Sequence, residues 1–114
     1  MLMRLCNFFI VIFFGLISLP SSAAGGFIVQ KALVTKVSAT SQNQEAFWVF
    51  YSGGTSDSCN GKAKFRREHA GTDGVFDRAF TLATSALVSG NSISIYSYTD
   101  SSDCESAVSV DLHT

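Results

Sequence analysis

The sequence predicts a mainly β fold, five strands in a partly closed barrel with one helix and one disulfide. Three observations predict it. Five short stretches alternate apolar with polar residues, as strands half-buried on a core do. One stretch, from about Val75 to Ser89, switches to the spacing of a helix face. Polar segments rich in Gly, Ser, Asn and Asp punctuate the chain between them. Short strands joined by polar turns favour a sheet that closes on itself, with a helix plugging the open end.

The first residues stand apart from that pattern. Arg4 supplies a positive start, and an apolar run from Leu5 to Leu19 follows, broken only by Asn7, Gly15 and Ser18. Pro20-Ser21-Ser22-Ala23-Ala24-Gly25 then offers a helix breaker and small residues. Charge, apolar stretch and small-residue site in that order predict a cleaved export signal over residues 1–24. Ser22 and Ala24 occupy the recognition positions, and cleavage after Ala23 is the alternative. A membrane anchor is the competing reading, but a span needs about 20 predominantly apolar residues. Cys6 lies at the start of the apolar run, not at its end, which speaks against a lipoprotein.

Removing residues 1–24 leaves one expected domain, residues 25–114. It keeps seven basic residues against nine acidic ones, a formal charge of −2. Such a balance gives no electrostatic reason to seek nucleic acid or anionic lipid. The signal also takes Cys6 with it, so two cysteines remain, Cys59 and Cys104. In an exported domain the simplest outcome is one intramolecular disulfide, with intermolecular pairing or free thiols as alternatives. Closing so long a loop is worth up to about 4 kcal/mol, useful to a domain too small to bury more than about two-thirds of its surface.

Each element follows from its residues. Phe27 to Ala39 is rich in β-branched and apolar types and predicts a long first strand, bent or bulged, with Val29, Leu33 and Val37 on one face. Thr40 to Gln44 is a polar turn. Glu45 to Tyr51 is a second strand, apolar on both sides: Phe47, Val49 and Tyr51 on one, Ala46, Trp48 and Phe50 on the other. One side meets the core and the other a partner surface. Ser52 to Gly61 is a loop carrying Cys59, and Lys62 to Glu68 is a third strand with Phe65 inward. In the helix, Phe76, Phe80, Ala83 and Leu87 form the stripe, widened by Ala79, Leu82 and Ala86. Thr72 or Asp73 suits its N-cap and Gly90-Asn91 its C-terminal end. Ser92 to Tyr98 alternates with Ile93 and Ile95 inward. Thr99 to Ser106 connects, and Ala107 to Leu112 closes with Val108, Val110 and Leu112.

Strand, strand, strand, helix, strand, strand is the element order of OB-fold barrels. With the export signal, the aromatic second strand (Phe47, Trp48, Phe50), Cys59 in the following loop, the helix ending in Ser89-Gly90-Asn91, Ile93-Ser94-Ile95-Tyr96 and Cys104 before the last strand, the chain resembles small exported bacterial OB-type proteins. These are typified by the B subunits of subtilase-cytotoxin-like and pertussis-like toxins. The resemblance implies a barrel, a disulfide, and ring-forming or glycan-binding behaviour. It assigns no binding residue.

Candidate chemistry is sparse. His69 has no nucleophile or orienting partner nearby in sequence, and His113 is expected to be exposed at the chain end. Two histidines so far apart make no zinc pattern. Asp57, Asp100, Asp103 and Glu105 form an acidic group around the disulfide, but their spacing departs from calcium loops. Arg66 and Arg67, adjacent in a strand, are expected to point to opposite faces as solvated or ion-paired charges. With Ile93 and Ile95 inward, Ser94, Tyr96 and Tyr98 line the outer face of their strand, suited to a sugar ring or a protein partner. The leading expectation is therefore a non-enzymatic exported binding module for a glycan or protein, with self-assembly as a further expectation. A structural or inhibitor-type domain without a small-molecule ligand is the alternative, and an exported hydrolase ranks third. No cofactor, metal, nucleic acid or membrane span after signal removal is expected.

Overall fold

The computed structural model describes residues 25–39 and 45–114. Residues 1–24, expected to be an export signal, and residues 40–44, expected to be a polar turn, lie outside the described residues. The elements are β1 (Gly26–Ala39), β2 (Ala46–Ser52), β3 (Lys62–Arg66), a one-turn helix α1 (Arg67–Ala70), the main helix α2 (Asp73–Ser89), β4 (Ser92–Ser97) and β5 (Ala107–Leu112). The strands form a ring in the order β1-β2-β3-β5-β4. All neighbours are antiparallel except β3 and β5, which meet in parallel through the single pair Phe65 and Ala107. The barrel is thus only partly closed, and its arrangement is OB-like.

β1 serves two partners. Its first half, Gly26 to Leu33, pairs with β4, and its second, Leu33 to Ala39, pairs with β2. It turns between them by slipping register between Phe27 and Val29, between Val29 and Ala32, and between Val34 and Lys36. At the second slip Lys31 takes a left-handed φ of 53°, the mark of a bulge that adds one residue and bends the strand. The extra residue shifts the alternation, and this corrects the predicted face. Val29 is buried as expected, but Ala32 and Val34 follow it inward, while Leu33 is 50 % exposed and Val37 only half-buried.

β2 keeps its alternation. Phe47, Val49 and Tyr51 point into the core, and Trp48 and Phe50 stay half-buried on the outside. Phe47 is the aromatic centre. Its ring lies parallel to Phe65 at 4.7 Å and meets Phe76 and Phe80 of α2 at 5.2 and 5.1 Å. α2 buries Phe76, Ala79, Ala83 and Ala86, leaving Phe80 and Leu87 on the rim at 38 % and 40 % exposure. The predicted stripe is therefore centred on its alanine side, where small side chains let the helix approach the sheet closely. Thr72 is the N-cap, its hydroxyl accepting from the Val75 N–H at 3.2 Å. Gly90, at φ 78°, closes the other end by donating to the Ala86 carbonyl.

β3 ends sooner than predicted. The Arg67 N–H reaches the Glu45 carbonyl at 2.9 Å, and the chain then turns into α1, burying Ala70. The Arg67 side chain pairs with Glu45 and Asp73, reaches Asp77 and lies over the Phe76 ring. These partners draw the chain off the sheet and toward α2.

Cys59 and Cys104 form the disulfide, with Cα atoms 5.5 Å apart and 45 positions between them. The loop bearing Cys59 folds back on β1. Gln30 and Thr55 exchange backbone hydrogen bonds, and the Ser58 N–H donates to the Ile28 carbonyl. Gly54, at φ +81°, permits the approach: a Cβ there would stand 2.6 Å from the Gln30 carbonyl oxygen and 2.9 Å from Val29.

Candidate functional site

The three outer-face residues predicted on β4 have different fates. Ser94 is 4 % exposed. Its hydroxyl accepts the Lys31 N–H at 3.1 Å and lies 2.8 Å from His113 Nε2. The bulge in β1 leaves the Lys31 N–H outside the ladder, and an unpaired backbone donor near the core is costly; Ser94 satisfies it. That corrects the expectation of an exposed Ser94. It also explains why His113 is half-buried rather than exposed, since its ring meets the Ser94 hydroxyl while the His113 backbone N–H donates to the Ser92 carbonyl.

Tyr96 and Tyr98 do share the outer side of β4, Tyr96 half-buried and Tyr98 exposed. Their rings meet edge-on at 5.7 Å, and Phe27 of β1 joins Tyr96 at 5.1 Å. Ser97 continues the inward period of Ile93 and Ile95 and is fully buried, while Tyr98, two positions beyond Tyr96, is 60 % exposed. Tyr98 stands at a cleft of about 160 Å³ between α2 and β5. Val75, Leu82 and Val108 form its apolar lining, and Arg78 and Ser109 add polar groups. Among the described residues no ion pair involves Arg78. Its guanidinium lies back over Gly74, where a Cβ would come within 3.1 Å of Nη1. The cleft is smaller than the roughly 300–1,000 Å³ of pockets for drug-sized ligands. It suits one ring or one side chain.

Arg78 and Ser109 were not singled out in the sequence. One signal was legible: Val75, Arg78 and Leu82 follow helical spacing, so an arginine sits in line with two apolar residues on one side of α2.

The remaining candidates do not converge. Asp57 accepts from the Tyr51 hydroxyl at 2.7 Å and from the Cys59 N–H at 2.9 Å. Burial, then the hydrogen bond and charge of Asp57, push the Tyr51 phenol well above its ordinary value. Glu105 pairs with Arg66, which also reaches Glu68 at 3.5 Å. Hydrogen bonds from Ser102 and Ser101 hold the Asp100 carboxyl below the usual range. Burial pushes Asp103 up, but the side chains of Ser106 and Thr99, the Glu105 backbone and the charge of His69 outweigh it and lower the carboxyl. Among the described residues no three His, Cys, Asp or Glu side chains are placed to hold a metal ion. His69 lies exposed on α1. Arg66 and Arg67 are ion-paired, as one of the expected readings had it, although only Arg66 belongs to a strand.

No curated protein and no solved structure matches the chain. A family model does, over residues 6–114, and the chain belongs to that family, described as a family of unknown function, DUF5992.

Proposed function

We propose that this is an exported, non-enzymatic binding module that takes a glycan at the cleft beside Tyr98. The observation that carries the reading is the exposed Tyr98, edge-on to the half-buried Tyr96, next to an arginine engaged in no ion pair among the described residues. An aromatic ring offers its face to the C–H side of a sugar, and a guanidinium and a hydroxyl bond its hydroxyls. The resemblance to toxin B subunits supports the ligand class, and the leader together with the Cys59–Cys104 disulfide supports export. A glycan array probed with the purified protein is expected to return a restricted set of binders. Tyr98→Ala should weaken them about tenfold or more, since exposed aromatic anchors dominate such contacts, with little change in thermal stability. An array without binders, or binders indifferent to Tyr98→Ala, overturns the reading.

One observation favours a protein contact as well. Val88 is 88 % exposed beside the half-open Leu87 on the outward side of α2, a surface suited to self-association. A strict monomer by size exclusion with light scattering removes it.

A further inference from the structure

β1 begins against the connection between β4 and β5. The Gly25 N–H donates to the Thr99 carbonyl at 3.0 Å, and Thr99 is itself fixed to the core. Its N–H donates to the hydroxyl of the fully buried Ser97 at 3.3 Å. Its own hydroxyl lies 2.9 Å from that of Ser97 and donates to Asp103 Oδ2 at 2.9 Å. Space here admits only glycine. Gly25 has a φ of +101°, and a Cβ on it would stand 2.8 Å from the Tyr96 hydroxyl and 3.0 Å from the Ser97 carbonyl oxygen. A Cβ on Gly26 would meet Ser101 Cβ at 3.1 Å. Both glycines are half-buried, whereas the first residues of a domain are loose unless something ties them down.

The same connection carries Asp100, which follows the acceptor residue in the chain, and Asp103, which is bonded to it. Among the described residues no ion pair involves either carboxylate. Hydrogen bonds from Ser102 for Asp100, and those that outweigh burial for Asp103, keep both ionised.

We propose that this connection is the seat of the mature amino terminus, where the α-ammonium of Gly25 stays on the Thr99 carbonyl and balances the charge of Asp100 and Asp103. The inference rests on the export reading, since only cleavage turns this nitrogen from an amide into an amine. Hydrolysis of the Ala24–Gly25 bond takes up one water and leaves a carboxylate on Ala24 and an ammonium on Gly25. The ligand is thus the chain's own nitrogen, already in place. Charge makes its bond to Thr99 roughly twice as strong, and its two further N–H groups have the Tyr96 hydroxyl and the Ser97 carbonyl beside Gly25. Cleavage after Ala23 would leave the nitrogen an amide, so the seat selects between the two cleavage sites. It also underpins the candidate glycan site, because Tyr96 carries the ring of Tyr98 on its edge.

The full chain is expressed with its leader and recovered from the exported fraction, where its first peptide is expected to begin at Gly25. Trace acetylation at neutral pH then compares its α-amine with that of a free peptide of residues 25–29 in the same tube. The titratable groups around the amine are Asp100, Asp103 and the Tyr96 phenol, with His69 acting on Asp103. The native amine is expected to react about tenfold more slowly, as it does when raised by about one unit from its ordinary value of about 7.7–8.0. Asp100→Asn with Asp103→Asn, which keeps the acceptor oxygens, should restore most of the reactivity. The salt series carries the same test without substitution: the slowing should shrink as NaCl rises from about 50 to about 500 mM. A terminus at Gly25 whose amine reacts like the peptide's overturns the seat and leaves the export reading standing. Slowing that persists at high salt and in the Asn pair is simple shielding and overturns it too, as does a terminus at Ala24. A chain that keeps residues 1–24 removes the export reading and the seat together.

Discussion

Asp57 shows how much a single side chain can organise. One carboxylate oxygen accepts from the Tyr51 hydroxyl in the core and from the N–H of Cys59, so it joins β2 to the disulfide loop. Removing the hydroxyl with Tyr51→Phe leaves a carboxylate short of one charge-assisted partner. The expected cost is about 1–2 kcal/mol, read as a lower urea midpoint at unchanged slope. The phenol is raised in the folded state, so its contribution is complete below the unfolded value of about 10 and is lost as pH rises through the higher folded value. Stability of the parent protein should therefore fall above about pH 10 more steeply than that of Tyr51→Phe. Alternation placed Tyr51 inward correctly. Nothing in the sequence joined it to Asp57, which reads as one more acid in a polar loop. Ser94 is the converse case: strand period puts it outward, and only a bulge in a strand 63 positions away explains why it is buried.

At the scale of elements, local signals held where local physics decides. The α2 boundaries were legible because capping is written into adjacent residues. Thr72→Ala is expected to cost about 1 kcal/mol, visible as a lower melting temperature. The short helix α1 was not legible, since the partners that pull Arg67 off the sheet, Glu45 and Asp73, come from separate segments. The phase of β1 was lost for a similar reason: a bulge is fixed by the partners on both sides, not by the strand's own residues.

For the whole molecule, element order was enough to predict an OB-like ring, because few closed sheets accommodate five short strands and one helix in that sequence. What order could not convey is how thin the ring is at β3 and β5. There the strands share one parallel pair, supported by the Lys64 N–H donating to the Cys104 carbonyl at 2.7 Å. The disulfide spans this seam, from the loop entering β3 to the segment entering β5. Replacing both cysteines by serine is expected to cost about 3–4 kcal/mol. Thermal melts with and without reductant check it, the double variant matching the reduced parent.

The seam also has a bearing on time. Phe65 and Ala107 stand far apart along the chain, and bringing such residues together requires loop entropy to be lost before any contact rewards it. The reduced chain makes that search unaided, whereas the oxidised chain starts with both banks of the gap already tethered. The cross-link is thus a catalyst of closure for the barrel as well as its clasp, and refolding should be faster with the sulfurs joined.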